Sequence, residues 1–171
     1  IAACAVQAVV EPGSTGIGGD CFALYSPAGG DDIVAFNGSG RAPTGLSSAW
    51  LLEQGISKIE RKTPHSVTVP GAVDAWVQMN RDHGIIELGQ LLAPAIAYAE
   101  DGYPVTQRVS TDFAASVGAL DDDARAVFTR DGGPIPLGAR HSQPLLAATM
   151  RSIAKAGRSG VYEAPGAEDI Q

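Results

Sequence analysis

The sequence has few residues of the kinds that build metal centres, redox motifs or disulfide frameworks. Among its 171 residues there are only two cysteines and three histidines. Cys4 and Cys21 lack C-x-x-C spacing, and no two histidines have HxH or HxxxH spacing, so we expect neither a zinc site nor a redox pair. Both cysteines have apolar neighbours, which favours buried free thiols, with a disulfide as the alternative. Surface or helix-capping positions are expected for the histidines, which are His65, His83 and His141.

Positive charge is also scarce. Twelve basic residues stand against nineteen acidic ones, giving a net charge of −7, and the basic residues are scattered rather than gathered into a stripe. This pattern argues against nucleic acid as a partner. No apolar run approaches the roughly 20 residues needed to cross a bilayer, so we expect no membrane segment in residues 1–171. The sequence does not determine the cellular compartment. We favour the cytoplasm, with a periplasmic or secreted location as the alternative.

Two common catalytic or cofactor motifs are missing. Ser66, Ser110 and Ser159 do not lie in a G-x-S-x-G elbow, so the sequence gives no support for an α/β-hydrolase triad. The glycines of 16–20 resemble a dinucleotide loop only in part, because Cys21 replaces the third glycine and the segment precedes a strand instead of following one. We therefore expect no cofactor and no metal.

The most informative segment is Glu11–Pro43, which contains two glycine-rich turns and two strand candidates. Alternating side chains predict strands over Cys21–Tyr25 and Ile33–Phe36, and the Ser, Pro, Gly and Asp residues between them predict an antiparallel hairpin. Glycines before the first strand and after the second allow the backbone to approach other groups closely. Asp20 is expected to cap the first turn, with a position near a substrate as the alternative.

The rest of the chain is predicted to be mainly helical. Apolar spacing, caps and stop signals indicate helices over residues 1–10, from 46–48 to Gly55, from 70–71 to Gly84, and over 88–99, 107–117, 121–130 and 143–155. Pro94 should bend its helix or divide it in two. Trp50 and Trp76 lie on apolar helical faces and are predicted to be buried. The three aspartates at 121–123 suit the positive end of a helix dipole.

These predictions give an α+β fold with two antiparallel strands and mostly helices. An isolated hairpin is marginal in water, so its missing strands are expected to come from elsewhere. The chain opens on an apolar run without an initiator methionine or a basic flank, and ends at Gln171 just past a predicted helix start. We expect residues 1–171 to be a single incomplete domain of a longer polypeptide.

Several ordered landmarks resemble the large subunit of the γ-glutamyltranspeptidase family. The first is GIGGDCFALY followed by FNGSGRAP, at residues 16–43. The later ones are VPGAVDAW at 69–76, the His83-Gly84 and LAPAI pair, EDGYPV at 100–105, and the Gly160-Val161-Tyr162 element with Ala167 and Ile170. Each landmark alone is weak. Together they cover most of the chain in the family's order, with a GSGRAP-type turn like that of the transpeptidase-related, acylase-containing branch.

The resemblance implies the N-terminal-nucleophile hydrolase αββα sandwich, in which a precursor cuts itself into large and small subunits. Residues 1–171 would be the front part of the large subunit. In this mechanism the nucleophile uses its own free α-amino group, so Ile1 cannot serve, and neither can the internal Thr15, Thr44 and Thr63. The family's Thr-Thr-His-like motif is absent. We therefore expect no catalytic residue in this chain, and a small-subunit partner that supplies an N-terminal Thr.

The resemblance also places Asn37, Ser39 and Arg41 at the substrate's acyl pocket. An arginine held by a glycine-rich turn can bind a carboxylate through two parallel hydrogen bonds, although an ion pair with an acidic neighbour is the alternative. In the family's transpeptidases the carboxylate-binding arginine corresponds to Ser39 here. Serine donates a hydrogen bond but carries no charge, so we expect weaker binding of a γ-glutamyl carboxylate at this position.

Three functions follow as hypotheses. The first is γ-glutamyl transfer or hydrolysis of glutathione-type amides by a two-subunit enzyme. The second is a carboxy-acyl amide acylase of the cephalosporin type with the same fold, suggested by Ser39. The third is a noncatalytic binding or scaffold domain in which the glycine turns only pack.

Overall fold

The computed structural model describes residues 1–61, 63–163 and 167. Its helices are α1 (Ala2–Val10), α2 (Ser48–Glu53), α3 (Ala72–His83), α4 (Leu88–Asp101), α5 (Gln107–Ser116), α6 (Asp122–Phe128), α7 (Pro144–Ala156) and α8 (Ser159–Tyr162). Its strands are β1 (Cys21–Tyr25), β2 (Val34–Gly38), β3 (Tyr103–Pro104), β4 (Thr129–Arg130), β5 (Gly133–Pro134) and β6 (Arg140–His141). The predicted landmark residue Ile170 lies outside the described residues.

The chain divides into two compact units. One comprises Ile17–Trp76, and the other joins Ile1–Gly16 to Val77–Gln171. Helix α3 contains the boundary between them. The expectation that residues 1–171 form one incomplete domain of a longer precursor stays a prediction.

The predicted hairpin is confirmed in the unit 17–76. Strands β1 and β2 pair antiparallel, with Cys21 opposite Gly38 and Tyr25 opposite Val34. The second strand begins one residue later than predicted and continues to Gly38. Ile33 therefore falls outside the ladder and is 69% exposed, because the register follows the pairing partner and not the end of the apolar run.

The two faces of the hairpin differ. Residues directly opposite each other in an antiparallel pair share a face, so Phe22, Leu24, Ala35 and Asn37 lie on one side. All four are exposed; Phe22 retains 67% and Leu24 79% of its accessible surface. This apolar outer face agrees with the expectation that further strands or helices are needed to complete the sheet.

Helix α2 begins where predicted but does not bury the predicted side. The Ser47 side chain caps it by accepting from the Trp50 N–H, and Gly55 follows with φ +75°. Trp50 is nevertheless 40% exposed, and only Leu51 is buried. The prediction of a buried Trp50 is wrong because a helix of six residues turns fewer than two times and presents only one position to its unit. Trp76 in α3 is buried, as predicted.

The larger unit is a helical layer centred on α4, which packs against α1 and α7. Alanines occupy many of the buried positions, among them Ala5, Ala8, Ala95, Ala99 and Ala147, and such small side chains let helix axes approach closely. Pro94 lies inside one continuous helix, so the alternative of two short helices is wrong.

The remaining helix predictions are confirmed, except that the predicted helix over 121–130 ends at Phe128 and Thr129–Arg130 form β4 instead. Thr106 caps α5 by accepting from the Val109 N–H. Asp121 caps α6, its Oδ1 accepting from the Ala124 N–H at 2.8 Å. Helix α7 ends at Ala156, and Gly157 follows it. Among the helices that the structure describes, none is long and apolar enough to cross a membrane.

Both cysteine predictions need correction in part. Neither Cys4 nor Cys21 is in a disulfide, but Cys4 is exposed and Cys21 is half-buried. The buried face of α1 is formed by Ala5, Ala8 and Val9. Cys4 therefore lies in an apolar stretch of sequence without lying on the helical face that packs.

Candidate functional site

The predicted substrate-binding residues lie where two glycine-rich turns meet the start of α3, all within the unit 17–76. The first turn ends at Gly19, whose carbonyl oxygen accepts hydrogen bonds from the N–H groups of Gly71 (3.0 Å) and Ala72 (2.9 Å). These two donors come from the entrance of α3, where backbone N–H groups have no partner inside the helix. The first turn is thereby fixed to the helix.

The second turn crosses the segment before α3 at very close range. A Cβ added at Gly40 would fall on the carbonyl oxygen of Val69 and 2.7 Å from its carbonyl carbon. A Cβ at Gly71 would collide with the Gly38 carbonyl oxygen and lie 2.9 Å from the Gly40 nitrogen. Because contacts this short are not tolerated, the two backbones can cross here only without side chains.

Asp20 connects the two turns. Its Oδ1 accepts a hydrogen bond from the Gly40 N–H at 2.8 Å, across twenty residues of sequence. The expected role was a cap of Asp20's own turn, and the bond that the structure shows is instead to the second turn. A carboxylate acceptor makes a stronger hydrogen bond than a neutral one.

Asn37 and Ser39 are brought into contact. Asn37 Oδ1 accepts from the Ser39 N–H at 3.0 Å, which closes a short turn at the end of β2. The Ser39 hydroxyl makes a long hydrogen bond to the Gly40 carbonyl at 3.4 Å, and both side chains are exposed. A long hydrogen bond of this kind leaves the hydroxyl available to a ligand.

Arg41 has a fixed backbone and an exposed side chain. Its carbonyl oxygen accepts from the Val69 N–H at 2.9 Å, and the preceding residue is held by Asp20. In the part of the chain that the structure describes, the guanidinium makes no ion pair, so the expected alternative of an acidic partner is not observed. The charge stays available to an anion from outside.

A shallow depression lies on the outer face of the hairpin, beside these residues. It is lined by Phe22, Ala23, Leu24, Ala35, Phe36 and Asn37. Asn37 is its polar member, at the end that leads to Ser39. The site is therefore an open surface with an apolar floor and a polar edge, not an enclosed pocket.

The sequence predicts neither a metal site nor a nucleophile in this chain. Within residues 1–61 and 63–163, no cluster of three or more His, Cys, Asp or Glu side chains is placed to hold a metal ion. The threonines considered in the sequence are internal and have no free amine.

One polar feature was missed by the sequence reasoning. His141 was expected at the surface, but it is buried in the larger unit against the rings of Tyr103, Phe113 and Phe128. Burial, and to a smaller extent the charge of Arg130, holds the pKa of His141 below its ordinary value of 6.5. Its Nε2 has no hydrogen-bond partner among the described residues.

His141 is buried because of a strand pairing that the local sequence does not predict. Strand β6 pairs with β3, placing His141 opposite Tyr103, whose pKa burial raises to about 12. The resemblance of 100–105 to a family turn was the available signal, since it marks Tyr103 as part of a structured element. That turn pairs with residues nearly forty positions later, and such a long-range pairing cannot be predicted from the local sequence.

Comparison with known proteins agrees with this geometry. The family model for gamma-glutamyltranspeptidase matches residues 1–171. The chain is 36% identical to the glutathione hydrolase-like YwrD proenzyme of Bacillus subtilis, over 99% of this chain and 33% of that protein. It thus spans about a third of the length of that curated relative.

Solved structures give the same result for the fold. The crystal structure of Helicobacter pylori gamma-glutamyltranspeptidase matches with a TM-score of 0.90 and 29% identity, over 99% of this chain and 50% of that one. Cephalosporin acylase from Bacillus halodurans matches with a TM-score of 0.90 and 33% identity, over 99% of this chain and 33% of that one. The predicted fold, part of an N-terminal-nucleophile hydrolase, is confirmed by these neighbours. The chain belongs to the γ-glutamyltranspeptidase family.

Proposed function

We propose that the whole protein is an amide hydrolase or acyltransferase that acts on γ-glutamyl amides of the glutathione type. Residues 1–171 form part of its large subunit. A small subunit, cut from the same precursor, supplies an N-terminal Thr. The relative from Bacillus subtilis is named a proenzyme, which supports a precursor that is processed.

The observation that carries this proposal is the exposed guanidinium of Arg41 on a backbone held by hydrogen bonds. Gly40 N–H is fixed by Asp20, and the Arg41 carbonyl is fixed by Val69. An arginine without an acidic partner among the described residues, on a turn that cannot easily shift, is suited to bind a substrate carboxylate through two parallel hydrogen bonds.

The chemistry divides between the two subunits. The small-subunit Thr hydroxyl attacks the amide carbonyl carbon, and its own α-amino group accepts the proton and passes it to the leaving amine. Water or an acceptor amine then cleaves the acyl ester. Arg41 holds the substrate carboxylate, the Ser39 hydroxyl donates one neutral hydrogen bond, and Asn37 borders the apolar floor. Holding the acyl group in place lowers the entropic cost of the attack.

A second substrate class is supported by Ser39. With serine where the family's transpeptidases carry a carboxylate-binding arginine, only one cation remains in this turn. A glutaryl group carries one carboxylate, as a γ-glutamyl group does, but it has no α-amino group and so needs no acidic partner at that position. The similarity to a cephalosporin acylase at 33% identity supports this reading.

The test is to express the full-length precursor and follow release of 4-nitroaniline from γ-glutamyl and glutaryl anilides. Mass spectrometry of the processed protein reads the new N-terminus. We expect a small subunit that begins with Thr, and hydrolysis that Arg41→Ala weakens by raising KM roughly 10- to 100-fold, the equivalent of a lost charge-assisted pair. Arg41→Lys should recover part of this loss.

Arg61→Ala is the matched control, since Arg61 is another exposed arginine of the same unit and its removal should leave KM unchanged. Competition between the two anilides decides the substrate class. A correctly processed protein that cleaves neither anilide, nor other amides, would contradict the proposal and favour the noncatalytic alternative.

A further inference from the structure

The hydrogen bond of the Asp20 carboxylate connects it to the predicted substrate-binding residues, because its donor lies between two of them. Gly40 separates Ser39 from Arg41, and its N–H donates to Asp20 Oδ1 at 2.8 Å. The peptide unit that carries this N–H also carries the Ser39 carbonyl. A hydrogen bond there restricts rotation on both sides, at Ser39 and at Gly40.

The backbone of Arg41 is held from the other side as well. Its carbonyl oxygen accepts from the Val69 N–H at 2.9 Å. Asp20 and Val69 therefore hold the peptide unit before Gly40 and the peptide unit after Arg41, so that the Gly40–Arg41 segment is restrained at both ends. Without the Asp20 bond, only one of these two constraints remains.

Asp20 is itself connected to a rigid element. The preceding residue, Gly19, accepts hydrogen bonds from the N–H groups of Gly71 and Ala72 at the start of α3. A continuous path thus runs from α3 through Gly19 and Asp20 to Gly40. Through these hydrogen bonds, α3 restrains the position and orientation of the turn that carries Arg41.

Burial does not explain the choice of an acidic residue at position 20, since Asp20 is exposed. In water an exposed backbone N–H is satisfied by solvent, so a side-chain acceptor has to compete with water. A charged acceptor competes better than a neutral one. An acceptor at this position can hold the Gly40 N–H against competition from water, and a negative charge strengthens that hydrogen bond.

We propose that Asp20 is a positioning residue for substrate binding, which acts through the Gly40 amide to hold Arg41 in the orientation that receives the substrate carboxylate. This inference rests on the proposed function of Arg41. It assigns to Asp20 an effect on affinity for the carboxylate and none on the chemical step.

The experiment uses the full-length, processed protein and the better of the γ-glutamyl and glutaryl anilides. Asp20→Ala is expected to raise KM about tenfold while kcat changes less than about threefold, and to raise the inhibition constant of free glutarate by the same factor. Asp20→Asn keeps an acceptor for the Gly40 N–H and should stay within about threefold of wild type in KM. Asp32→Ala removes an exposed carboxylate from the hairpin loop and is the matched control.

Hydrogen exchange measured by mass spectrometry gives a reading that does not depend on activity. Peptides that contain Gly40 should exchange faster in Asp20→Ala and near the wild-type rate in Asp20→Asn. If Asp20→Ala fails to fold, Asp20→Asn alone remains decisive, since a tenfold rise in its KM would overturn the inference.

The inference is also overturned if Asp20→Ala lowers kcat with KM unchanged, or if Asn and Ala have the same effect. A failure of the proposed function looks different. In that case wild type itself cleaves neither anilide, while the exchange rate at Gly40 still reports whether Asp20 holds the turn.

Discussion

Replacing Gly40 by alanine tests the close crossing of two backbones. The added Cβ would fall on the Val69 carbonyl oxygen, so one of the two segments has to move. Overpacking of this kind costs about 1–3 kcal/mol. The movement also weakens the bonds from Val69 to Arg41 and from Gly40 to Asp20, about 1 kcal/mol for the neutral bond and about 2 kcal/mol for the charged one. If about half of each bond energy is lost, the local loss is about 2.5–4.5 kcal/mol.

Native-state hydrogen exchange on the full-length protein is the suitable assay, because it reports local opening free energies. A loss of about 3 kcal/mol corresponds to roughly 150-fold faster exchange, which should appear at the Val69 and Gly71 amides. Gly45→Ala is the control, since a Cβ there meets nothing within 4 Å. The reasoning is refuted if Gly40→Ala and Gly45→Ala give the same exchange at those two amides.

Three further predictions address other parts of the chain. His141→Gln should flatten the pH dependence of stability below about pH 6.5. Because burial depresses the folded-state pKa of His141, the unfolded chain takes up a proton first, and the free energy of unfolding falls as pH falls, by at most about 1.4 kcal/mol per pH unit. Urea unfolding between pH 7 and 5 measures this dependence in both proteins. Trp76→Ala should cost about 3–5 kcal/mol and Trp50→Ala less than about 1.5, because only Trp76 is fully packed, and thermal unfolding of both variants compares them. Residues 1–171 expressed alone should self-associate through the exposed Phe22 and Leu24, and threonine at both positions should shift sedimentation towards the monomer.

The local elements could be predicted because their signals are local. The alternation in 21–25, the Ser47 cap, the Asp121 cap and the glycines after the helices each act within a few residues. The hairpin was therefore predicted in type and direction. Its exact register was not, since the extension of β2 to Gly38 depends on which partner residues face it, and not on where the apolar run stops.

Burial was harder to predict than secondary structure. Trp50 and Cys4 lie in apolar sequence, yet neither is on a face that packs. His141 shows the opposite error, because a two-residue strand pairing places it inside a ring cluster. Each outcome depends on which element covers which face, and that information comes from residues far away in the sequence.

The candidate site was predicted as a set of residues but not as an arrangement. The resemblance named Asn37, Ser39 and Arg41, and the structure adds that Asn37 contacts Ser39 and that Arg41 is unpaired within the described residues. The bond from Asp20 to Gly40 spans two turns. Neither turn alone predicts it, because the acceptor and the donor meet only after the hairpin has formed.

The alternation of glycines with the proposed substrate-binding side chains in 37–41 has a consequence for engineering. Positions 38 and 40 are closed to every residue with a side chain, since backbone or side-chain atoms already occupy the space that a Cβ needs. Positions 37, 39 and 41 project from the same five-residue stretch into solvent. A directed-evolution library that randomises only the odd positions could therefore alter acyl selectivity while leaving the scaffold intact, whereas randomising the whole stretch would fill the library with misfolded members.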